Sequence, residues 1–362
     1  MRAAFHLVLA LALAACSSSS ITSGPPGLPS PTSSLQPPAS SLPTVAPVRT
    51  VVLSTPTPAP PPLVVLVSAQ SEALDAVVQQ AAAESGWDYR LDSPGTPPAL
   101  EAAAREGALI VVSHGAELAG AALELAGRYP ETYFISLPAP EGELPPNLLG
   151  LGGPGDRYDQ AGLLAGMAAG FASQNRYAVG VGDLEDVIAR NYLMGFLHGV
   201  RYVCPRCRVE IVNAGGADLA RDITVYRAGG ADAFFAAPGP AGEEVLRLAA
   251  GKGAWVVGSG ADVHLTVFGD GSLPEAERLL TSVYLDAGPA LAAALAAFRQ
   301  GAPLPTGAQP LSAANGAVVV APYREPAGIL TPLDQQVMAT TLSRLADGSL
   351  ETGVNPLTGE ER

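Results

Sequence analysis

Basic residues are scarce. Against 34 Asp and Glu the 362-residue chain carries only 20 Lys and Arg, a formal net charge of -14. No local basic cluster offsets that balance, so a surface built for nucleic acid is excluded. Aromatic residues make up only 6% of the chain while glycine alone contributes 40 residues, a composition suited to helices packed closely on sheets. A membrane-spanning run is missing too: the longest apolar stretch, residues 3–14, falls short of the roughly 18–20 residues needed to cross a bilayer. With only three cysteines, the four-ligand set of a structural zinc site is not available near Cys204 and Cys207.

What is present divides the chain unevenly. Residues 1–15 hold Arg2, an apolar run and small residues ahead of Cys16, the layout of an export signal. Leu13-Ala14-Ala15-Cys16 resembles the bacterial lipobox, which implies cleavage before Cys16 and acylation of its thiol; the plainer alternative is an ordinary export signal followed by a chance cysteine. Residues 16–62 are dominated by Ser, Pro and Thr with Arg49 as the sole charge, too little apolar surface to offset the entropy of ordering. This stretch reads as a tether, stiffened by Pro-rich runs such as Pro58 to Pro62. The remaining residues 63–362 are more than one core usually holds and suit two lobes.

Within that part, short apolar runs alternate with amphipathic ones. Strands are expected at 63–67, 109–112, 133–136, 177–181, 233–236 and 255–257, with helices at 72–84, 118–127 and 243–250. Such alternation predicts parallel sheets covered on both faces, one on each side of a loop near 150–159. The segment 176–209 is the clearest unit. Gly180 and Gly182 allow a turn after its strand, Asp183 is placed to cap the following helix with Asp186 as its acidic partner, Gly199 is a plausible stop, and a return strand follows. In an exported protein the Cys204-x-x-Cys207 pair near that turn reads as a small disulfide or as two free thiols; a thioredoxin-like role is disfavoured because the motif leads into a strand.

Catalytic patterns are weak. Gly150, Gly152 and Gly155 match a dinucleotide fingerprint by letter, but Pro154 interrupts the turn. Gly251-Lys252-Gly253 lacks the Ser or Thr of a phosphate loop, and Ser259 lacks the spacing of a nucleophile elbow. His114, His264 and Asp262 come from separate loops and make a poor metal or acid–base set. No enzyme, metal or cofactor is implied.

Several segments in order carry a resemblance. RYPETYFIS at 128–136, Asp159-Gln160 before Leu164-Ala165-Gly166, Gly195-Phe196 with the run 199–205, GADAFF at 230–235, Thr281-Ser282-Val283, NGAVVVAP at 315–322 and Asp347-Gly348-Ser349 together resemble the basic membrane protein family of ABC-transporter substrate-binding lipoproteins. The resemblance implies an α/β, type I periplasmic-binding-protein fold: an N-lobe mainly within 63–155, a C-lobe mainly within 156–265, and residues 266–362 crossing back between them. It also implies a lipid-anchored, monomeric receptor on the extracytoplasmic face of the cell membrane, delivering a nucleoside-like ligand to an ABC permease. A sensor that signals without transport is the alternative, and a cleft hydrolase using Asp183 and Asp262 is a third reading.

Because ligands of open α/β sheets sit beyond the carboxyl ends of strands, the implied ligand site comprises Ser68, Gln70, Ser71, His114 and Gly115 from one lobe and Asp183, Phe235, Gly239, Asp262 and Tyr284 from the other. This chain departs from the family pattern. Its first loop, 68–71, lacks the usual acidic and Asn residues, only Asp262 remains of the acidic group after the ninth strand, and Tyr284 stands where a Lys is common. Of Phe234 and Phe235, strand alternation turns one into the core.

Overall fold

The computed structural model describes residues 60–69, 72–215, 218–303, 305–324 and 328–362. Cys16 and the tether therefore lie outside the described residues, as do Gln70 and Ser71.

The described residues open with three strand-and-helix steps and two further strands: β1 (Leu63–Ser68), α1 (Glu72–Ser85), β2 (Asp88–Asp92), α2 (Pro97–Arg105), β3 (Ile110–His114), α3 (Ala116–Arg128), β4 (Tyr133–Leu137) and β5 (Leu148–Leu151). It then enters a second series: α4 (Tyr158–Ala172), β6 (Tyr177–Gly182), α5 (Val187–Val203), β7 (Arg208–Asn213), α6 (Leu219–Ala228), β8 (Ala233–Ala236), α7 (Gly242–Gly251), β9 (Trp255–Ser259), a short α8 (Val263–Thr266) and β10 (Leu279–Leu285). Two returns complete it, α9 (Ala287–Arg299) with β11 (Gly307–Gln309), then β12 (Val318–Val320) with α10 (Pro332–Ala346).

The strands form two six-stranded sheets of matching order, β11-β5-β4-β3-β1-β2 and β12-β10-β9-β8-β6-β7. Every pairing is parallel except β10 with β12, an antiparallel edge. Alternation of side chains explains how each sheet is covered. In the first, Val64 and Leu66 pack toward α1 and α9 through Leu74, Val78, Leu291 and Leu295. Val65 and Val67 point the other way, to Leu100 of α2 and Leu118 and Leu125 of α3. Each such fully buried Val or Leu contributes about 1.5–3 kcal/mol relative to exposure.

In the second sheet Ala178, Phe235 and Val257 face α4 and α5, while Val179, Phe234 and Val256 face the α6 and α7 side. Both phenylalanines are fully buried. Phe235 stacks on Phe196 of α5 at 5.0 Å between ring centroids. Its placement on the ligand site is therefore corrected: with both sheet faces covered by helices, alternation sends Phe234 and Phe235 into two different halves of the core, and neither meets the cleft.

The helix after β6 also differs from its reading. Asp186, not Asp183, is the N-cap, its carboxylate accepting from Ile188 N at 3.0 Å. Nor does the helix stop at Gly199, because that glycine serves a close crossing with α4. A Cβ on Gly199 would fall on the carbonyl of Leu163, one on Gly195 on Asp159, one on Gly162 on Tyr192 and one on Gly166 on Phe196. Glycines four residues apart on both helices let the backbones touch, as small residues do wherever helices approach closely. Cys204 caps α5 and is disulfide-bonded to Cys207, with Cα atoms 5.3 Å apart.

Three crossovers link the lobes, and they are hydrogen-bonded to one another. Asp156, on the first, accepts from Gly153 N at 3.0 Å and from Leu311 N on the third at 2.7 Å. Arg157 N donates to Leu311 O at 2.8 Å, and Asp286 N, on the second, donates to Ala317 O at 2.8 Å. Just inside α4, Gln160 Oε1 accepts from Ala313 N at 2.8 Å. Such a bundle of short connections is where hinge bending between lobes is absorbed.

Candidate functional site

The carboxyl ends of β1 and β3 in one lobe face those of β9 and β10 in the other across a cavity of about 470 Å³. That volume is within the range of small-molecule sites. Leu74 and His114 line it from the first lobe, Asp262, Leu265 and Tyr284 from the second, and Asp286 from the second crossover.

Each polar group is positioned by its strand end. Ser68 and His114 are register partners on β1 and β3, and Ser68 Oγ lies 3.2 Å from His114 Nδ1. Ser68 itself is buried, so it holds the imidazole and presents the ring to the cavity. Gly115 follows with φ of 136°, a conformation L side chains rarely adopt, and begins α3.

Asp262 does more than face the cavity. Its Oδ1 accepts from His264 N at 3.1 Å, capping α8, while Oδ2 accepts from Arg324 Nη2 at 2.7 Å. Arg324 Nη1 also lies 2.5 Å from His264 Nδ1, so that nitrogen accepts. The Asp262 carboxylate is thus neutralised and oriented from behind. Burial holds the Tyr284 hydroxyl above its ordinary pKa, reinforced by the Asp262 and Asp286 carboxylates, which keeps it a proton donor.

Asp183 and Gly239 lie in an adjoining depression of about 250 Å³ over the ends of β6 and β8. A third depression of about 280 Å³ shares Gly239 with it and Gly260 with the main cavity, so one groove runs along the strand ends of the second lobe. Asp183 and Asp262 line different parts of that groove, and Asp183 Oδ1 is occupied by Glu185 N at 2.9 Å. The structure therefore brings His114, Asp262 and Tyr284 into one cavity, puts Asp183 and Gly239 beside it, and removes Phe235.

Two residues escaped sequence reasoning. Asp286 caps α9 through Gly288 N at 2.8 Å, and an Asp between an apolar strand and an Ala-rich run was a legible cap signal. Arg324 carries no local signal, since its partner is 62 positions away. Among the described residues no lysine or arginine lines the main cavity. Among the described residues there is no His, Cys, Asp and Glu cluster able to hold a metal and no helix long and apolar enough to cross a membrane.

Two α/β lobes, three crossovers and a cavity at the strand ends define a periplasmic-binding-protein-like fold. A transcriptional activator of the comK gene from Bacillus halodurans matches with a TM-score of 0.59 at 15% identity, over 80% of this chain and 99% of that one. An ABC transporter solute-binding protein from Conexibacter woesei gives 0.59 at 20% identity, over 80% and 98%. Another from Aeropyrum pernix gives 0.51 at 16%, over 81% and 93%. At such identities the likeness establishes the fold alone. No curated protein matches the chain by sequence. The family model for Bmp, described as ABC transporter substrate-binding protein PnrA-like, matches residues 88–309, and the chain belongs to that family. It is a solute-binding protein of ABC-transporter type.

Proposed function

We propose that the chain is a lipid-anchored receptor that captures an unphosphorylated nucleoside between its lobes and delivers it to an ABC permease. The observation that carries the ligand reading is the composition of the 470 Å³ cavity: carboxylates and a phenol, apolar walls and, among the described residues, no Lys or Arg on the lining, the nearby Arg324 being committed to Asp262. Asp262 and Asp286 offer carboxylate oxygens to sugar hydroxyls, His114 offers a ring nitrogen, and Tyr284 with Leu74 and Leu265 offers surface to a base. A phosphate would meet the Asp286 carboxylate and an Asp262 whose only guanidinium partner, Arg324, is already committed to it, so nucleotides are disfavoured.

Family membership supports delivery to a permease, and the lipobox-like segment ending at Cys16 supports anchoring on the extracytoplasmic face. The crossover bundle supports capture by lobe closure, and in this reading the chain acts as a monomer with no chemical step. Thermal unfolding against nucleosides, nucleotides, nucleobases, sugars and amino acids tests this. A ligand that binds only the folded state adds roughly 2.7 kcal/mol at 100 times its dissociation constant. A nucleoside should raise the midpoint and its monophosphate should not. A rise with sugars or amino acids alone would overturn the nucleoside reading.

A further inference from the structure

A second cavity, of about 450 Å³, shares no lining residue with the nucleoside cleft. It lies against the first crossover, at the glycine-rich stretch whose letters resemble a dinucleotide loop. Its walls bring together Gly153 and Asp156 of the crossover, Pro138 after β4, the start of α5, and the C-terminal segment at Pro356 and Leu357.

The floor and the rim are chemically opposite. Around the opening, Val187, Ile188 and Leu357 are 40%, 39% and 61% exposed, a cluster of large apolar side chains left to solvent. Beneath them Asp156 is buried, with both short hydrogen bonds falling on Oδ1. Its Oδ2 has only a 3.5 Å approach from the Tyr158 hydroxyl, too long to satisfy a carboxylate oxygen. Among the described residues no Lys, Arg or His lines the cavity and no ion pair neutralises Asp156. Burial pushes its carboxyl pKa up, against the lowering effect of the Leu311 and Gly153 amides.

Asn191, also on the wall and 1% exposed, donates through its amide nitrogen to Val187 O and Pro356 O, both at 3.0 Å. Its Oδ1 is buried without a hydrogen-bond partner. A buried carboxylate lacking a counter-charge and a buried acceptor lacking a donor are both costly, and each is relieved by a group that donates.

We infer that this hinge cavity binds a small organic monocation, an ammonium head on an apolar body. The head reaches Asp156 Oδ2 and lies beside the Tyr158 ring, while the body covers Val187, Ile188 and Leu357. An organic anion is rejected by Asp156, and a neutral isostere loses the charge-assisted hydrogen bond. Because the lining comes from both lobes and the crossover, an occupant ties the two together and biases lobe closure, which makes it an effector rather than cargo.

The test is titration of 2-phenylethylammonium into the full chain, followed by protein-observed NMR, with phenylacetate and 2-phenylethanol as controls and with the variants Ile188→Lys, Ile188→Glu and Asp156→Asn. Ile188 is 39% exposed at the first turn of α5, and unchanged resonances remote from the cavity check that both of its variants are folded. Saturable shifts are expected at Tyr158, Ile188 and Leu357 for the amine only. Both Ile188 variants lose apolar contact with the body, and Ile188→Glu should retain about two- to fivefold more affinity than Ile188→Lys, the range of an exposed charge pair. Asp156→Asn should weaken it at least tenfold, as loss of a charge-assisted bond does. No saturable shift, equal binding of the alcohol, or equal affinity in the two Ile188 variants would overturn the assignment. Shifts at His114 and Tyr284 belong to the nucleoside cleft, so either reading can fail without the other.

Discussion

Arg324 Nη2 donates to Asp262 Oδ2 at 2.7 Å, and this one contact ties the last strand-to-helix connection of the second lobe to the acidic wall of the cleft. Arg324 is about a quarter exposed and Asp262 less so, while Arg324 Nε is buried without a partner. Asp262→Asn keeps an oxygen for the α8 cap and should cost less stability than Asp262→Ala, which loses cap and ion pair together, about 1–2 kcal/mol after allowing for solvent screening. Denaturant unfolding of the two variants measures the difference; equal losses would mean that the cap contributes nothing.

The glycine crossing of α4 and α5 makes a sharper demand. Gly166→Ala places a methyl group against Phe196 O and within 2.8 Å of Val200 N, both backbone. Neither atom can yield without moving a helix, so a loss of about 1–3 kcal/mol or more is expected, as for overpacked cores. Gly120→Ala on α3 meets nothing within 4 Å and should be neutral or slightly stabilising, since alanine is the better helix former. Urea midpoints for both variants provide the check, and a harmless Gly166→Ala would contradict the close crossing.

These two sites mark what sequence could and could not supply. The alternation of strands and helices was readable because β1, β3 and β8 are compact apolar runs bounded by glycine and polar residues; β8 falls on Ala233–Ala236 as read. Edge strand β2, Asp88–Asp92, was not read, being polar and only half buried. Phe235 was misjudged because a strand covered on both faces is apolar at every position, so alternation identifies two sides without saying which one is wet. Gly199 fitted a helix stop by local rules, whereas its role depends on Leu163, which arrives from another helix. Within the cleft, His114, Asp262 and Tyr284 could be placed because strand ends are local features. Arg324 could not, because a salt bridge across 62 positions leaves no periodic trace.

The crossover carboxylate gives a pH signature. Asp156 has a folded pKa raised by burial, so its ionised form disfavours the folded state. Relative to Asp156→Asn, which retains an acceptor for the Gly153 and Leu311 amides, the natural chain should be most stable below the unfolded carboxylate pKa. That advantage should be lost as pH rises toward the higher folded value, after which the difference is constant. Paired denaturation curves across the acid range measure it; a difference that grows with pH in favour of the natural chain would reverse the assigned sign.

Reduction of Cys204–Cys207 removes a very short loop. Chain-entropy arguments give about 2 kcal/mol for a closure of that size. The paired Ser variant should therefore still fold with a modestly lower midpoint, and ligand affinity should not change because neither cysteine lines the cleft. Calorimetry on both proteins resolves this, and a lost binding signal in a folded variant would contradict it.

Capture between two lobes is the central claim, and amide hydrogen exchange with and without a purine nucleoside tests it most directly. Protection should rise together at the ends of β3, around His114, and of β9 and β10, around Asp262 and Tyr284, with a single saturation curve, and the monophosphate should produce neither change. Protection confined to one lobe, or absent from both at saturating nucleoside, would contradict closure around a nucleoside.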